Sequence, residues 1–598
     1  MMHRVLYFFV GTASSLFLPG NAPKEYTAGR RIDIKVSKLT SDSQQVPFDY
    51  YYLNFCPLLH PDAQAATMDE NIGQLLQGDS IENTAYEVSM QEDASCRILC
   101  NRPFTSVDFA RFASMIDGQY VINWLVDGLP VAIKAAPFLN PGGERTTEVW
   151  ETGSPVGFKQ ANSYYIFNHV SFTIKYHESG YSAGSYSVVG VDVEPKSIAS
   201  TQDGEVSRPN CEVEKSIEVT RDTSSILFTY DIKWERSDIP WASRWDSYMK
   251  VKENRIHWFS IVNSLVVLFL LTGVIALVLV RILHKDISKY NSVVLDEESS
   301  ALDDAADEVG WKIVHGDVFR KPRHSKLLAV FIGSGIQIFC MVSVCIIFAV
   351  FGLLSPANRG SYIQAMLLLF IFMSGIAGYV SARVYKMFKG EDWKTTTLWA
   401  GLIFPGVVFS IFFSLNLLLW YRGSSAAVPF SAITVLVILW VGVSVPLVFF
   451  GAYRGYARPP IDLPVRVHHI PRQIPRQPWY AKTFFASLFG GILPFGAVST
   501  ELMFLLGSIW HHQYYYLFGF LMIVLFILIV TCAEISVAMT YFQLTAEDYR
   551  YVCINDPNLS NLGGGGDHSC LQRSLEFTFS HTQYTTSSQS STSRASSQ

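Results

Sequence analysis

The sequence lacks a surplus of charge of either sign. Its 598 residues include 46 Lys or Arg and 51 Asp or Glu, which gives a formal net charge of −5. A nucleic-acid-binding protein carries a basic face, so this balance argues against that class. Charged residues make up only 16% of the chain, whereas hydrophobic residues make up 49% and the mean hydropathy is +0.22. A soluble protein of this length is less apolar, and the composition therefore predicts membrane-spanning segments.

Two short motifs lack the surroundings that would make them functional sites. GYSAG (Gly180–Gly184) has the spacing of a nucleophile elbow, but a polar segment precedes it and a strand-like segment follows. An elbow needs a strand before it and a helix after it, so a hairpin turn is expected instead. GGGG (Gly563–Gly566) lacks the Lys-Ser/Thr of a phosphate-binding loop and is interpreted as a linker. Neither motif indicates a catalytic centre or a cofactor.

The N-terminus is typical of a secretory signal peptide. MMHRVLYFFVGTASSLFLPG places Arg4 before a short apolar run, and Ala13 and Ser15 are small residues suited to cleavage. A first transmembrane helix is the alternative, but the run is short and interrupted by glycine and serine. Residues 1–15 are therefore predicted to be a signal peptide.

Four of the nine cysteines precede the first long apolar run. They are Cys56, Cys96, Cys100 and Cys211. If this region is lumenal, two disulfides are expected, with three possible connectivities. A metal site at Cys96 and Cys100 is the alternative interpretation, although no histidine partners lie close to them in sequence.

Residues 16–250 are predicted to form a β-rich domain. Three segments rich in β-branched and aromatic residues are predicted strands: Ser163–His177, Ser185–Glu194 and Ser224–Trp234. One short helix is predicted at Thr105–Ile116, with Thr105 or Ser106 as its N-cap. Gly and Ser turns separate the strands, and the pattern indicates a β-sandwich of one or two sheets.

Residues 251–550 are predicted to form a helical membrane domain. Seven apolar segments each have roughly 20 or more residues, enough for about 30 Å of hydrocarbon at about 1.5 Å per residue. They are 258–280, 327–354, 362–381, 397–420, 430–452, 484–508 and 514–542. Residues 551–598 are Gly- and Ser-rich and are predicted to be a disordered tail. The predicted fold is an α+β membrane protein, a β-sandwich-like domain followed by a polytopic α-helical bundle.

The distribution of Lys and Arg predicts the orientation of the bundle. Segments 281–326, 382–396 and 453–483 carry eight, four and six of these residues, whereas the alternate loops carry only Arg359 and Arg422. Basic loops remain in the cytosol. The N-terminal domain is therefore predicted to be lumenal, as a signal peptide requires, and the C-terminal tail cytosolic.

Two glutamates lie within the predicted spans, Glu501 in the sixth and Glu534 in the seventh. A carboxylate inside a membrane is costly, which makes both candidate functional residues; a structural hydrogen bond to a neighbouring helix is the alternative. They lie about 25 Å and about 12 Å from the cytosolic ends of their spans, so they are not expected to pair. Pro405, Pro446 and Pro494 predict kinked or broken helices. These features suggest a secondary transporter or channel as an alternative function.

A stripe of small residues recurs in the third span. Ser374, Gly378 and Ala382 are spaced four residues apart, which permits close approach of another helix. That helix belongs either to the same bundle or to another membrane protein. The stripe is therefore a candidate helix-docking surface.

Several longer motifs carry a resemblance to a known family. They include WERSDIPWASRWDSY (Trp234–Tyr248), GWKIVHGDVFR (Gly310–Arg320), IPRQIP, ILPFGA and YFQLTAEDYR. In this order they resemble the nonaspanins, the transmembrane 9 superfamily, and most of all its large endosomal and Golgi members. The resemblance runs from about residue 16 to residue 550.

The resemblance implies a lumenal β-rich domain, nine spans, and residence in Golgi and endosome membranes. It also implies a protein without enzymatic activity that helps other membrane proteins reach their correct membrane. The expected partners are the lipid bilayer and transmembrane segments of client proteins, notably Gly-rich ones, with no nucleic acid among them.

The sequence departs from the family pattern after Arg550. The family continues into two further helices and ends in a cytosolic Lys-x-Asp or Lys-x-Glu signal that vesicle-coat proteins bind. This sequence ends RASSQ instead. Coat proteins are therefore expected partners only through a family signal that this sequence does not contain.

Overall fold

The computed structural model describes residues 24–548, with gaps. The gaps are 59–70, 136–148, 179–183, 200–210, 212–215, 246–253, 296–313, 315–316, 323, 355–358, 462, 464–466, 468–469, 471–472, 478, 480–482 and 511–517. The predicted signal peptide, most of GYSAG, the GGGG segment and the predicted disordered tail lie outside the described residues.

The described part of the N-terminal domain consists mainly of strands, with two short α-helices. The strands are β1 (Tyr26–Thr27), β2 (Arg31–Thr40), β3 (Glu82–Ser89), β4 (Ala94–Pro103), β5 (Val121–Val126), β6 (Leu129–Pro130), β7 (Ala132–Ala135), β8 (Val149–Thr152), β9 (Ser154–Pro155), β10 (Gly157–Gln160), β11 (Ser163–Ile166), β12 (His169–Glu178), β13 (Ser185–Lys196), β14 (Glu218–Val219) and β15 (Ser225–Arg236). The helices are α1 (Ile72–Gln77) and α2 (Ser106–Asp117). Thr105 is the N-cap of α2, in a capping box with Asp108.

Three sheets are present in the described part of this domain. The largest has the order β4-β15-β12-β13-β7-β8, with β1 paired to β13. The second has the order β3-β2-β5-β6, with β9 paired to β5, and the third has the order β10-β11-β14. The pairs β12–β15 and β13–β7 are parallel.

The two larger sheets pack face to face around an aromatic core. Phe172 of β12 lies 5.2 Å from Tyr86 of β3 and 5.5 Å from Trp124 of β5, measured between ring centroids. Such contacts hold a sandwich together because aromatic rings bury large apolar areas. The predicted β-rich domain followed by seven apolar helices is confirmed.

The strand predicted over Ser163–His177 is instead two strands, β11 and β12. Asn168, between them, donates from its side chain to the carbonyl oxygens of Ile198 and Leu227, each at 2.9 Å. Its side-chain oxygen also accepts from the Ile198 N–H at 2.8 Å. A side chain that bonds to the backbone in this way interrupts a ladder, and the sequence pattern does not reveal it.

Both disulfides are attached to β4. Cys56 is bonded to Cys100, and Cys96 to Cys211, with Cα–Cα distances of 5.9 and 5.8 Å. This is one of the three connectivities that the sequence left open. The metal alternative is wrong for these residues, because a disulfide sulfur is not the thiolate that a metal ligand must be.

The membrane domain contains seven apolar helical spans among the described residues, one for each predicted span. They are α3 (Asn254–Leu295), α4 (Ser325–Val350), α5 (Ser361–Met387), α6 (Trp393–Arg422), α7 (Phe430–Leu439) continued by a π-helical turn (Trp440–Ser444) and α8 (Val445–Ala457), α9 (Thr483–Trp510) and α10 (Phe518–Thr545). The helices α6 and α9 continue through Pro405 and Pro494 without a break. Pro446 follows the π-helical turn at the start of α8.

The N-terminal domain contacts the bundle at the start of α5 and at the connection between α6 and α7. We call this side of the membrane the domain side and the opposite one the far side. Successive spans cross in alternate directions, so α3 and α10 start on the domain side and α9 starts on the far side.

Close backbone contact joins α5 to α8. A Cβ added at Gly378 would overlap the carbonyl oxygen of Val448, and one added at Gly451 would overlap that of Gly375. Ser374 and Ala382 are buried. The predicted helix-docking stripe of Ser374, Gly378 and Ala382 is therefore covered by this chain's own helix, and it is a packing surface of the bundle.

Enlarging either glycine should destabilise the bundle. We expect Gly378→Ala and Gly451→Ala to lower the free energy of unfolding by about 1–3 kcal/mol, because the added methyl group forces α5 and α8 apart. Thermal unfolding of the purified full chain in detergent measures this. Gly273→Ala in α3 is the matched control, because a Cβ there meets nothing within 4 Å. Equal unfolding temperatures for all three variants would contradict the close contact.

Candidate functional site

Glu534 of α10 is held by the first span. Thr272 Oγ1 of α3 lies 2.5 Å from Glu534 Oε1 and 3.0 Å from the carbonyl oxygen of Leu268. The second carboxylate oxygen, Oε2, is buried and has no hydrogen-bond partner among the residues that the structure describes. This hydrogen bond between helices is the structural role that the sequence left open as an alternative.

Glu501 of α9 is also buried, but it lies at another depth. Its helix contacts α3 through Ser264, whose Oγ donates to the carbonyl oxygen of Ala497 at 2.5 Å. Because α3 and α9 run in opposite directions, Thr272 lies about 12 Å from this contact towards the far side and Glu501 about 6 Å towards the domain side. Glu501 and Glu534 are thus separated by about 18 Å along the membrane normal. The structure does not bring them into one site.

Trp440 donates a hydrogen bond to a carbonyl group that Pro405 leaves without its partner in the helix. Pro405 has no N–H, so the carbonyl of Gly401 has no partner within α6. Trp440 Nε1 donates to this oxygen at 3.0 Å. Trp440 also begins the π-helical turn of the fifth span. The proline is therefore accommodated by packing between helices, and no open polar cavity is needed to explain it.

The N-terminal domain is attached to the bundle through Asn71, the N-cap of α1, and through the loop after β2. Asn71 Nδ2 donates to the carbonyl oxygen of Arg359 at 3.0 Å, and Ser424 Oγ donates to that of Pro47 at 2.7 Å. Apolar contacts surround these hydrogen bonds. They involve Leu75 and Leu76 of α1 with Phe409, Phe412, Val428, Ala432 and Ile433 of the spans and their connection.

Asp79 is shared between the N-terminal domain and the bundle. Its carboxylate lies 2.9 Å from Lys38 Nζ and 3.8 Å from Arg359 Nη1, and it accepts from Ser37 Oγ at 3.2 Å. The side chains of Asp79, Lys38 and Arg359 are only 7%, 13% and 16% exposed. Removing the carboxylate from such a buried group takes away the anion that Lys38 and Arg359 share, which is strongly destabilising. The two parts of the protein are therefore coupled at this point.

A buried histidine lies beside the second disulfide. His169 of β12 is 1% exposed, its Nε2 is 3.1 Å from Asp231 Oδ2, and its Nδ1 is 2.9 Å from Thr229 Oγ1. The backbone N–H of Cys96 donates to the other oxygen of Asp231. Burial lowers the pKa of His169 below its usual value, and the Asp231 carboxylate offsets part of this effect. A neutral ring that donates from Nε2 to Asp231 and accepts at Nδ1 satisfies both contacts.

Thr272, Asp79 and His169 were not among the predicted site residues. One signal is visible in the sequence: Arg359 is an isolated basic residue in a loop otherwise free of Lys and Arg. Such a residue indicates a nearby acidic partner, but it does not identify which one.

The chain is similar to known membrane proteins over most of its length. Residues 47–552 match the family model described as endomembrane protein 70. The chain is 43% identical over 565 residues to transmembrane 9 superfamily member 9 of Arabidopsis thaliana, covering 92% of this chain and 86% of the relative. It is 40% identical over 566 residues to member 4 of Homo sapiens, with the same coverage of 92% and 86%. It is 40% identical over 551 residues to putative phagocytic receptor 1a of Dictyostelium discoideum, covering 89% and 84%.

Neutralising Asp79 should loosen the N-terminal domain from the bundle. We expect Asp79→Asn to destabilise the protein by about 3–5 kcal/mol, because the buried Lys38 and Arg359 lose the anion that they share. Thermal unfolding and limited proteolysis of the full chain measure this. Asp33→Asn is the control, since the Arg31–Asp33 pair is 61% exposed on both side chains and such pairs contribute about 0–1 kcal/mol. Similar behaviour of the two variants would contradict the coupling.

The stability of the protein should depend on pH through His169. Its pKa is lower in the folded state than the value of about 6.5 in the unfolded chain, so unfolding takes up a proton. Stability is therefore complete above about pH 6.5 and falls as the pH is lowered from there towards the folded-state pKa. We expect His169→Gln to reduce the drop in unfolding temperature between pH 7.5 and 5.5, relative to His177→Gln in the same strand. An unchanged drop in the His169 variant would exclude this residue as the cause.

Proposed function

The chain belongs to the endomembrane protein 70 family, that of the transmembrane 9 membrane proteins, and from this membership we propose that it helps other membrane proteins reach their correct membrane. The proposed role is non-enzymatic, and the proposed location is the Golgi and endosome membranes. The observation that carries the proposal is similarity over 92% of the chain to multi-spanning relatives. The relatives include transmembrane 9 superfamily members and a putative phagocytic receptor, which supports a role at a membrane.

The proposed orientation places the N-terminal domain in the lumen and the C-terminus in the cytosol. The loops on the far side carry most of the Lys and Arg residues between spans, which supports a cytosolic far side. Two disulfides in the N-terminal domain also support an oxidising lumen on the domain side.

The first span, α3, is the proposed contact for client transmembrane segments. The small-residue face of α5 is covered by α8, so it is not free to bind another protein. By contrast, Phe269, Leu270 and Leu277 of α3 are 70%, 63% and 72% exposed. A helix with such an uncovered apolar face can pack against a client helix whose glycines permit close approach.

The transporter or channel suggested by the intramembrane glutamates receives no support from their positions. Glu501 and Glu534 lie about 18 Å apart along the membrane normal, estimated from the helical rise. Glu534 is bonded to Thr272 of the neighbouring helix. We therefore propose no second function.

The proposal can be tested in cells that lack the protein. We expect membrane proteins with Gly-rich transmembrane segments to leave their normal compartment, and re-expression of the full chain to restore them. A photo-crosslinking residue at Leu277 should capture such clients, whereas the same residue at Leu418 of α6, which is 62% exposed, is the control. An unchanged distribution of these proteins after removal of the chain would refute the trafficking role. Equal crosslinking at both positions would refute α3 as the contact.

A further inference from the structure

A groove opens between α3 and α10 on the far side of the Thr272–Glu534 hydrogen bond. Towards the domain side the two helices are in contact, because the rings of Trp258 and Phe520 are 5.4 Å apart. The Trp258–Phe520 and Thr272–Glu534 contacts each join residues that are 262 apart in the sequence. The two helices therefore run side by side in the same direction, without a shift between the two contacts. The Thr272–Glu534 pair therefore closes the groove at its inner end.

The walls of the groove are apolar. Val274, Val278 and Ile282 lie on one wall, and Ala538 and Tyr541 on the other. These residues recur at helical spacing and define one face of each helix. The small side chain of Ala538 gives the groove its width at the middle of the second wall.

The groove extends over one leaflet of the membrane. From Val274 to Ile282, the lining residues of α3 rise by about 12 Å, which lies within half of a hydrocarbon core about 30 Å thick. A membrane-spanning helix would need a contact surface through both leaflets, and in the other leaflet α3 and α10 pack against each other. The dimensions therefore favour a lipid acyl chain over a helix.

Basic residues lie near the far-side end of the groove, which we call its mouth. Lys285 follows Ile282 by three residues, so it lies on the groove face of α3. Gln477 Nε2 donates to the carbonyl oxygen of Ala546 at 2.8 Å, which places the neighbouring Arg476 beside the last turn of α10. One basic residue thus lies near the far-side end of each of the two helices.

Two exposed cations lie near the far-side end of the groove. Lys285 and Arg476 are exposed, and neither forms an ion pair within the described part of the chain. At the end of α10, Glu547 is half-buried and Asp548 is buried. Asp286 follows Lys285 in α3, and one residue of helix turns it about 100° away from the face that carries Lys285 and Ile282. A phosphate group at the membrane surface would meet the two cations first.

We propose that this groove binds an anionic phospholipid of the far-side leaflet. One acyl chain lies between α3 and α10 and ends at the Thr272–Glu534 pair, and the phosphate contacts Lys285 and Arg476. Basic residues at helix ends facing a membrane surface attract anionic headgroups in this way. The proposed orientation makes this the cytosolic leaflet, but the site itself does not depend on the trafficking role.

Native mass spectrometry of the full chain in detergent tests the proposal, with phosphatidylserine and phosphatidylcholine of matched acyl chains as probes. We expect the wild type to retain phosphatidylserine preferentially. Lys285→Gln and Arg476→Gln should each weaken retention about fivefold, since a basic residue at the membrane surface contributes about 1 kcal/mol. Ala538→Trp fills the groove and should reduce retention of both lipids about tenfold or more.

Matched controls separate the groove from general effects. Val280→Trp places the same indole side chain on the opposite face of α3, where Val280 is 64% exposed. Lys394→Gln removes an exposed lysine elsewhere on the far side. Both should retain phosphatidylserine as the wild type does. Equal retention by Ala538→Trp and Val280→Trp would overturn the groove as the site. Equal retention of the two lipids by the wild type would show that the headgroup charge is not recognised. Displacement of phosphatidylserine by soluble glycerophosphoserine would show that the acyl chain is not needed. Either result would overturn the proposed binding of an anionic phospholipid.

Discussion

Hydrocarbon offers no hydrogen-bond partner, so a polar group in a span is costly unless another part of the bundle pairs with it, and several contacts between the helices follow from this constraint. Pro405 releases the carbonyl of Gly401, and Trp440 from the next span donates to it. Ser374 Oγ lies 2.6 Å from the carbonyl oxygen of Ile371 in its own helix and 3.2 Å from that of Ser444 in the π-helical turn. These contacts join α5, α6 and the fifth span, and the N-terminal domain is attached to the same group of helices.

The features that the sequence revealed are those set by local physics. A span is fixed by the thickness of the bilayer, so all seven could be located from apolar runs without knowledge of their neighbours. The N-cap of α2 was likewise visible, because Thr105 and Asp108 are three residues apart. The small-residue stripe on α5 was visible too, but only the structure shows that Val448 and Gly451 of α8 cover it.

Contacts between distant segments could not be predicted in the same way. The parallel pairing of β12 with β15 joins His169 to Thr229, and no local pattern indicates it. The choice among three disulfide connectivities depends on where β4 lies in the sandwich. Glu534 was identified as a polar residue in a span, yet its partner Thr272 has nothing in its own surroundings that distinguishes it from other threonines in helices. Asp79 is one of many acidic residues, and only its burial between Lys38 and Arg359 marks it.

The contacts that attach the N-terminal domain to the bundle can form only late in synthesis, because their partners lie far apart in the sequence. Ser424 bonds to Pro47 across 377 residues of chain. At about 5–20 residues per second, the ribosome needs roughly 20–75 s to synthesise that length. During this interval the N-terminal domain can fold and form its disulfides, but Asp79 has no Arg359 to pair with and the apolar face of α1 is uncovered. The nascent protein therefore presents to the chaperones of its compartment a docking surface that the finished protein conceals.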